Sequence, residues 1–274
     1  MKLYYSNLGC ANFTEEELPK LGVLDSYANC KKPKVYPWAD AYFMDSGAFS
    51  VWKSGKTISL ADYIAFCKEH ESLFEVIASL DVIGSADGTY RNYMKMREAG
   101  LNPLPCFHKK EPFTYLDMYA KETSYIGLGG MAIVHADDRH SFFREVFARY
   151  PDPKVVGFHG FGVNDPELLT PYPWKSCDAA SIYRQATMGG IRLPVGSWVK
   201  ICGFDRSLSG RMASPGEVSV LKEWISSLGF SYEIAATWGR EGLKERCKIG
   251  VAFYEALAKE VPERYTVTQR SFHL

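Results

Sequence analysis

The chain has 274 residues, 46% of them hydrophobic and 23% charged. That globular composition excludes a wholly disordered, collagen-like or coiled-coil chain. Its 32 basic and 32 acidic residues leave no net charge, so bulk cationic attraction to nucleic acid is excluded and any such binding rests on local patches.

No apolar run reaches membrane-spanning length. Asn7, Asn12 and a run of glutamates interrupt the opening segment, so it lacks a signal-peptide core. The seven cysteines are scattered, without a CxxC pair. Neither a disulfide framework nor a zinc knuckle is expected, and a reducing cytoplasm fits best. No repeat, low-complexity tract or linker divides the chain, so residues 1–274 are expected to form one domain.

Short apolar runs predict strands at Lys2–Ser6, Ala41–Met44, Val76–Leu80, Pro103–Phe107, Tyr125–Leu128, Lys154–Phe158, Ser176–Ala180 and Trp198–Cys202. Their continuous apolar character is that of strands covered on both faces. Helical patterns alternate with them. Ser59 starts a stripe of Leu60, Tyr63, Ile64 and Cys67. Asp165-Pro166-Glu167 starts another helix, and Ser214-Pro215-Gly216-Glu217 is a capping-box start to one bearing Leu221, Trp224, Ile225 and Leu228, ended by Gly229. Leu243–Lys259 is a final amphipathic helix. Eight strands alternating with helices predict an α/β fold, a single (β/α)8 TIM-type barrel, with a doubly wound open sheet as the alternative.

Either architecture puts ligand sites at the C-terminal ends of parallel strands. Asp45-Ser46-Gly47-Ala48-Phe49-Ser50, Asp81, His108-Lys109-Lys110, Gly127-Leu128-Gly129-Gly130-Met131, His159-Gly160-Phe161-Gly162 and Asp178 follow successive runs. Singly, each has a structural reading: an aspartate capping a turn, glycines making one, a histidine satisfied in the core. Turn chemistry does not account for polar groups at six strand ends together. Aspartates sharing one apolar-walled cleft are driven to different pKa values, one ionised as a nucleophile and one protonated as an acid. A third can accept from a base edge, and an aromatic such as Phe49 can stack on a flat ring. The HxH and HExxH metal spacings, the GxSxG elbow and the phosphate-cradling GxGxxG and GxxxxGK patterns are all missing. No metal or other cofactor is expected.

In this order and placement, Asp45-Ser46-Gly47-Ala48-Phe49, Asp81, Gly129-Gly130-Met131-Ala132, the Gly-Phe-Gly turn before Asn164-Asp165-Pro166-Glu167, and Asp178 resemble the tRNA-guanine transglycosylases. They resemble most their short DNA-directed relatives, the DpdA-type 7-deazaguanine insertion proteins of bacteria and phages. The resemblance runs from about residue 41 to 190. It implies a pentosyltransferase that swaps guanine in nucleic acid for a 7-deazaguanine. Asp178 would attack C1′ of the sugar, and Asp45 would be the general acid and base. Asp81 would bind the N1 and 2-amino edge, Gly129 and Gly130 would donate N–H groups to the base carbonyl, and Met131 would line the base site. Phe49 would stack on one ring face and His159 would pack against the other. His108 falls where the family has a base-reading glutamine, and Arg184 matches an arginine following the nucleophile.

The chain departs from the tRNA enzymes in lacking their cysteine-rich zinc site and in being shorter, which favours DNA over tRNA as the polymeric partner, with a free 7-deazapurine as second substrate. Lys31-Lys32-Pro33-Lys34, Lys53, Lys56, Lys109, Lys110 and Arg184 are the candidate backbone contacts; for Lys31–Lys34 a solvated charged surface is the favoured reading. A nucleoside or glycoside hydrolase using the same carboxylates with water, and a non-catalytic nucleobase-binding module, are the competing readings.

Overall fold

The computed structural model describes residues 1–30, 32–131, 136–194, 197–203 and 211–266; Lys31 and Ala132 of the sequence motifs lie outside the described residues. Eight strands run parallel: β1 (Lys2–Tyr5), β2 (Leu21–Ser26), β3 (Ala39–Asp45), β4 (Val76–Ile77), β5 (Cys106–His108), β6 (Tyr125–Gly129), β7 (Gly157–Gly160) and β8 (Ser176–Ala179). They pair in the order β4-β3-β2-β1-β8-β7-β6-β5. A parallel bridge between Ala78 and Leu104 joins the two ends, with Leu104 N–H donating to Ile77 O at 2.7 Å and Ser79 N–H to Leu104 O at 2.8 Å. The sheet is therefore a closed (β/α)8-type barrel.

Strand alternation sorts the core into two layers. Tyr4, Leu24, Ala41, Phe43, Ala78 and Leu104 pack together along the axis. Their strand neighbours Leu3, Tyr5, Leu21, Val23, Tyr42, Phe107, Ile126, Leu128, Phe158 and Cys177 face the surrounding helices. The same alternation turns Asp45, His108, Gly129, His159 and Asp178 toward the axis.

The helices are α1 (Ala48–Lys53), α2 (Leu60–Glu69), α3 (Ala86–Glu98), α4 (Phe113–Glu122), α5 (Ala136–Arg149), α6 (Pro166–Leu169), α7 (Ser181–Thr187), α8 (Pro215–Ser227), α9 (Tyr232–Ala235) and α10 (Arg240–Glu260). Ser59 caps α2 through Asp62 N–H, and both halves of the Ser214–Glu217 capping box form at α8. Helix α10 locks the end of the chain to its start: Tyr5 Oη donates to Glu255 Oε1 at 2.7 Å, and Lys244 pairs with Glu17. No helix among the described residues is long and apolar enough to cross a membrane.

Three strand predictions need correction. The Trp198–Cys202 run forms β10 (Trp198–Lys200), which pairs antiparallel with β9 (Gly190–Arg192) in a separate hairpin. The missing barrel strand is β2, Leu21–Ser26, which has no counterpart among the predicted strands and carries Gly22 in its apolar run. That glycine is required. A Cβ there would lie 2.7 Å from Leu3 O and 2.8 Å from the Tyr4 ring, so the bare backbone lets β1 and β2 approach. Gly22→Ala is expected to cost about 3 kcal/mol, read as a lower urea midpoint at unchanged slope. The third correction is at Lys154–Phe158. The Asp152 turn takes up Lys154, Val155 and Val156 through their N–H groups, moving the strand to Gly157–Gly160. His159 therefore lies within the strand and not after it.

Candidate active site

The C-terminal ends of the strands open onto one cavity of about 1000 Å³, lined by Asp45, Phe49, Asp81, His108, Lys109, Lys110, Gly129, Gly130, Met131, Phe161, Gly162 and Asp178. This is the upper end of the range of small-molecule sites. The β1 and β2 loops add Asn7, Cys10, Asp25, Cys30, Lys34 and Tyr36 to its wall.

Asp45 ends β3, and its Oδ2 accepts the Gly47 N–H at 3.1 Å. Gly47 adopts φ 73°, and a Cβ there would meet Ala28 and Ser26 at 2.4 Å, so only glycine makes this turn. Burial, followed by the charges of Asp81 and Asp178, raises the Asp45 carboxyl to a pKa of about 7. It exchanges a proton readily at neutral pH.

Asp178 sits on β8 in register with Tyr4 of β1 and is 5% exposed. Its Oδ1 accepts the Gly162 N–H at 2.5 Å. Its Oδ2 has no hydrogen-bond partner among the described residues, which leaves one oxygen held and one without a donor.

Asp81 follows β4. Its Oδ2 lies 3.2 Å from His108 Nε2, while its Oδ1 is buried without a hydrogen-bond partner among the described residues. The other ring nitrogen of His108 lies 3.1 Å from Glu111 Oε1, and the His108 backbone N–H donates to Glu111 Oε2 at 2.9 Å. Burial opposes charge on this ring, but Asp81 and Glu111 outweigh it and raise the pKa to about 10. His108 is thus an imidazolium between two carboxylates, with no nitrogen left to read a base. Glu111 was not singled out from the sequence. The signal was present: a turn from His108 to Glu111, closed by Glu111 N–H to His108 O at 3.1 Å, immediately precedes α4. Gly129 makes room for the ring, since a Cβ there would lie 2.9 Å from His108 Cδ2.

His159 does not reach the cavity wall. Its partner in register is Ser176, one layer below Asp178, and the side chain is fully buried. The ring packs on Phe43 and Phe161, with centroids at 4.5 and 4.4 Å. Nδ1 is 2.6 Å from Ser176 Oγ, and Nε2 is 3.7 Å from Asp178 Oδ1. Burial lowers its pKa against the pull of Asp178, so it is a neutral ring beneath the carboxylate. The aromatic that takes the cavity position is Phe161, lying over Gly127, where a Cβ would meet its ring at 2.4 Å.

Of the remaining expected residues, Phe49 lines the mouth from α1 with its ring 6.0 Å from that of Trp52, and Met131 is buried in the wall. Lys109 is paired with Asp138 at 3.2 Å, while Lys110 is exposed in a left-handed conformation with φ 80°. Arg184 is exposed on α7, outside the cavity lining. Lys34, read from the sequence as a solvated charge, is exposed at the cavity edge. Among the described residues, no three His, Cys, Asp or Glu side chains form a group able to hold a metal ion. A scan against models of known protein families matches none, and a search of the curated proteins finds no match.

Proposed function

We propose that this chain is a base-exchange transglycosylase, replacing guanine in DNA with a 7-deazaguanine through a covalent link between Asp178 and the sugar. The observation that carries this reading is the convergence of Asp45, Asp81 and Asp178, from three separate strand ends, on one cavity. Their environments differ as an acid, an acceptor and a nucleophile require.

The target nucleotide leaves the stack to enter the cavity. Asp178 Oδ2 forms a bond to C1′ as the C1′–N9 bond breaks, and the electron pair of that bond leaves with guanine. Asp45 gives its proton to the departing base. Asp178 is one of the charges that hold this proton on Asp45. As Asp178 becomes a neutral ester that charge disappears, so the acidity of Asp45 rises as the proton is needed. The incoming 7-deazaguanine then loses a proton to Asp45, and its nitrogen attacks C1′. The ester bond breaks and the Asp178 charge returns, raising the basicity of Asp45 in step. Asp81 accepts from the base edge, Gly129 and Gly130 border its carbonyl, and Phe49 offers a stacking face. Lys34 and Lys110 are the exposed cations at the mouth for the phosphate backbone.

The test is incubation with radiolabelled guanine and DNA, tRNA or free nucleosides. Label is expected to enter DNA and neither of the others. Label entering tRNA alone would transfer the reading to tRNA. Free nucleoside hydrolysed, with no label entering a polynucleotide, would replace exchange by hydrolysis.

A further inference from the structure

We propose that Glu111 and His108 are positioning residues that hold Asp81 as an acceptor on one side only, so that the cavity takes bases presenting N–H donors and rejects those presenting a lone pair there. The inference rests on the transglycosylase reading and supplies its base selectivity.

Three observations carry it. The cluster is internal: the side chains of Asp81, His108 and Glu111 are 15%, 17% and 12% exposed. Both ring nitrogens of His108 are committed to carboxylates at 3.2 and 3.1 Å. The second Asp81 oxygen is buried and accepts no hydrogen bond from a backbone N–H or a nitrogen or hydroxyl side chain among the described residues, although Asp81 lines the cavity. The Cys106 thiol is the protein donor beside this carboxylate, and a ligand N–H is a stronger donor than a thiol. Guanine presents N1–H and an amino group at that edge. Adenine presents the bare N1, whose lone pair would face the oxygen.

The charge state of the cluster is set by these three residues. Asp45, Cys106 and Tyr119 also face it; burial pushes the Cys106 thiol and the Tyr119 phenol well above their usual values, so neither carries charge near neutrality. His108 is the cation that pairs with Asp81 and orients it. Glu111 keeps His108 charged and, through its second oxygen on the His108 backbone N–H, fixes where the ring stands.

The test uses the full chain with guanine, hypoxanthine and adenine as probes, in wild type, Glu111→Ala, Glu111→Gln and His108→Gln. In wild type at about pH 8 the His108 ring is expected to be doubly protonated by nitrogen-15 NMR. In Glu111→Ala the protonation midpoint falls. KM for guanine rises about 10- to 100-fold with kcat within about threefold, and the preference for guanine over adenine falls about tenfold or more. Glu111→Gln, which keeps an acceptor oxygen, recovers part of the loss. His108→Gln, whose amide can donate to Asp81, recovers most of it. A neutral His108 in wild type overturns the proposal whatever the activity. So do unchanged KM and selectivity in Glu111→Ala. A charged His108 in a wild type that binds none of the three bases overturns the transglycosylase reading, and the role of the cluster with it.

Discussion

With Asp178 replaced by Asn, guanine exchange is expected to fall by about 10⁴-fold or more, and no protein–DNA adduct is trapped on denaturation. The loss is large because the covalent step has no substitute. An amide oxygen is a poor nucleophile, and no other carboxylate occupies the end of β8. The fold is expected to survive. Asn retains an oxygen to accept the Gly162 N–H that Asp178 Oδ1 now accepts, and the neutral His159 ring below loses no ion pair. Binding of free guanine stays within about tenfold of wild type, because Asp81 and its partners are untouched. The check is denaturing electrophoresis of stalled reactions together with label incorporation. An adduct of normal yield in Asp178→Asn would remove Asp178 from the chemistry.

Asp45→Asn is expected to lower kcat by about 10²- to 10⁴-fold and to flatten the pH profile. In the proposed reaction both halves use Asp45, once protonated and once ionised. With its pKa at about 7, exchange is greatest near neutrality. At lower pH the carboxyl cannot take the proton of the incoming base, and at higher pH it has none to give. The same residue carries a stability cost whose sign follows from the direction of its shift. The folded carboxyl holds its proton to about pH 7, while the unfolded one, with the ordinary aspartate value of 3.8, has already released it. Folding therefore weakens as pH rises from about 4 to about 7, and the penalty is complete above that. Asparagine never ionises. Asp45→Asn is expected to match wild type in stability near pH 4 and to exceed it by about 2–4 kcal/mol at pH 8. Urea denaturation at the two pH values reads this directly. A variant no more stable than wild type at pH 8 would mean that burial and the neighbouring charges do not strain the ionised Asp45.

How much was legible in the sequence depended on the range of the interaction responsible. Short apolar runs marked seven of the eight barrel strands, and Ser59, Asp165 and Ser214 marked helix starts, because strand alternation and capping act within a few residues. The polar residue after each run located Asp45, Asp81 and Asp178, since the barrel turns strand ends into one rim whatever the loops do. Strand β2 went unread, and the reason for its Gly22 is a neighbouring strand, not its own.

Which strand ends carry the polar groups that line the cavity thus followed from local pattern in the chain itself. Tertiary structure alone decided the layer each residue occupies and the partner it meets. Register with Ser176 sets His159 below the rim, while Asp178, two residues further along β8, reaches the cavity. The turn from His108 to Glu111 and the approach of Asp81 make a histidine into a cation. Layer and charge state come from backbone pairing and Coulomb forces between segments distant in sequence, and these take definite values only once the barrel has closed.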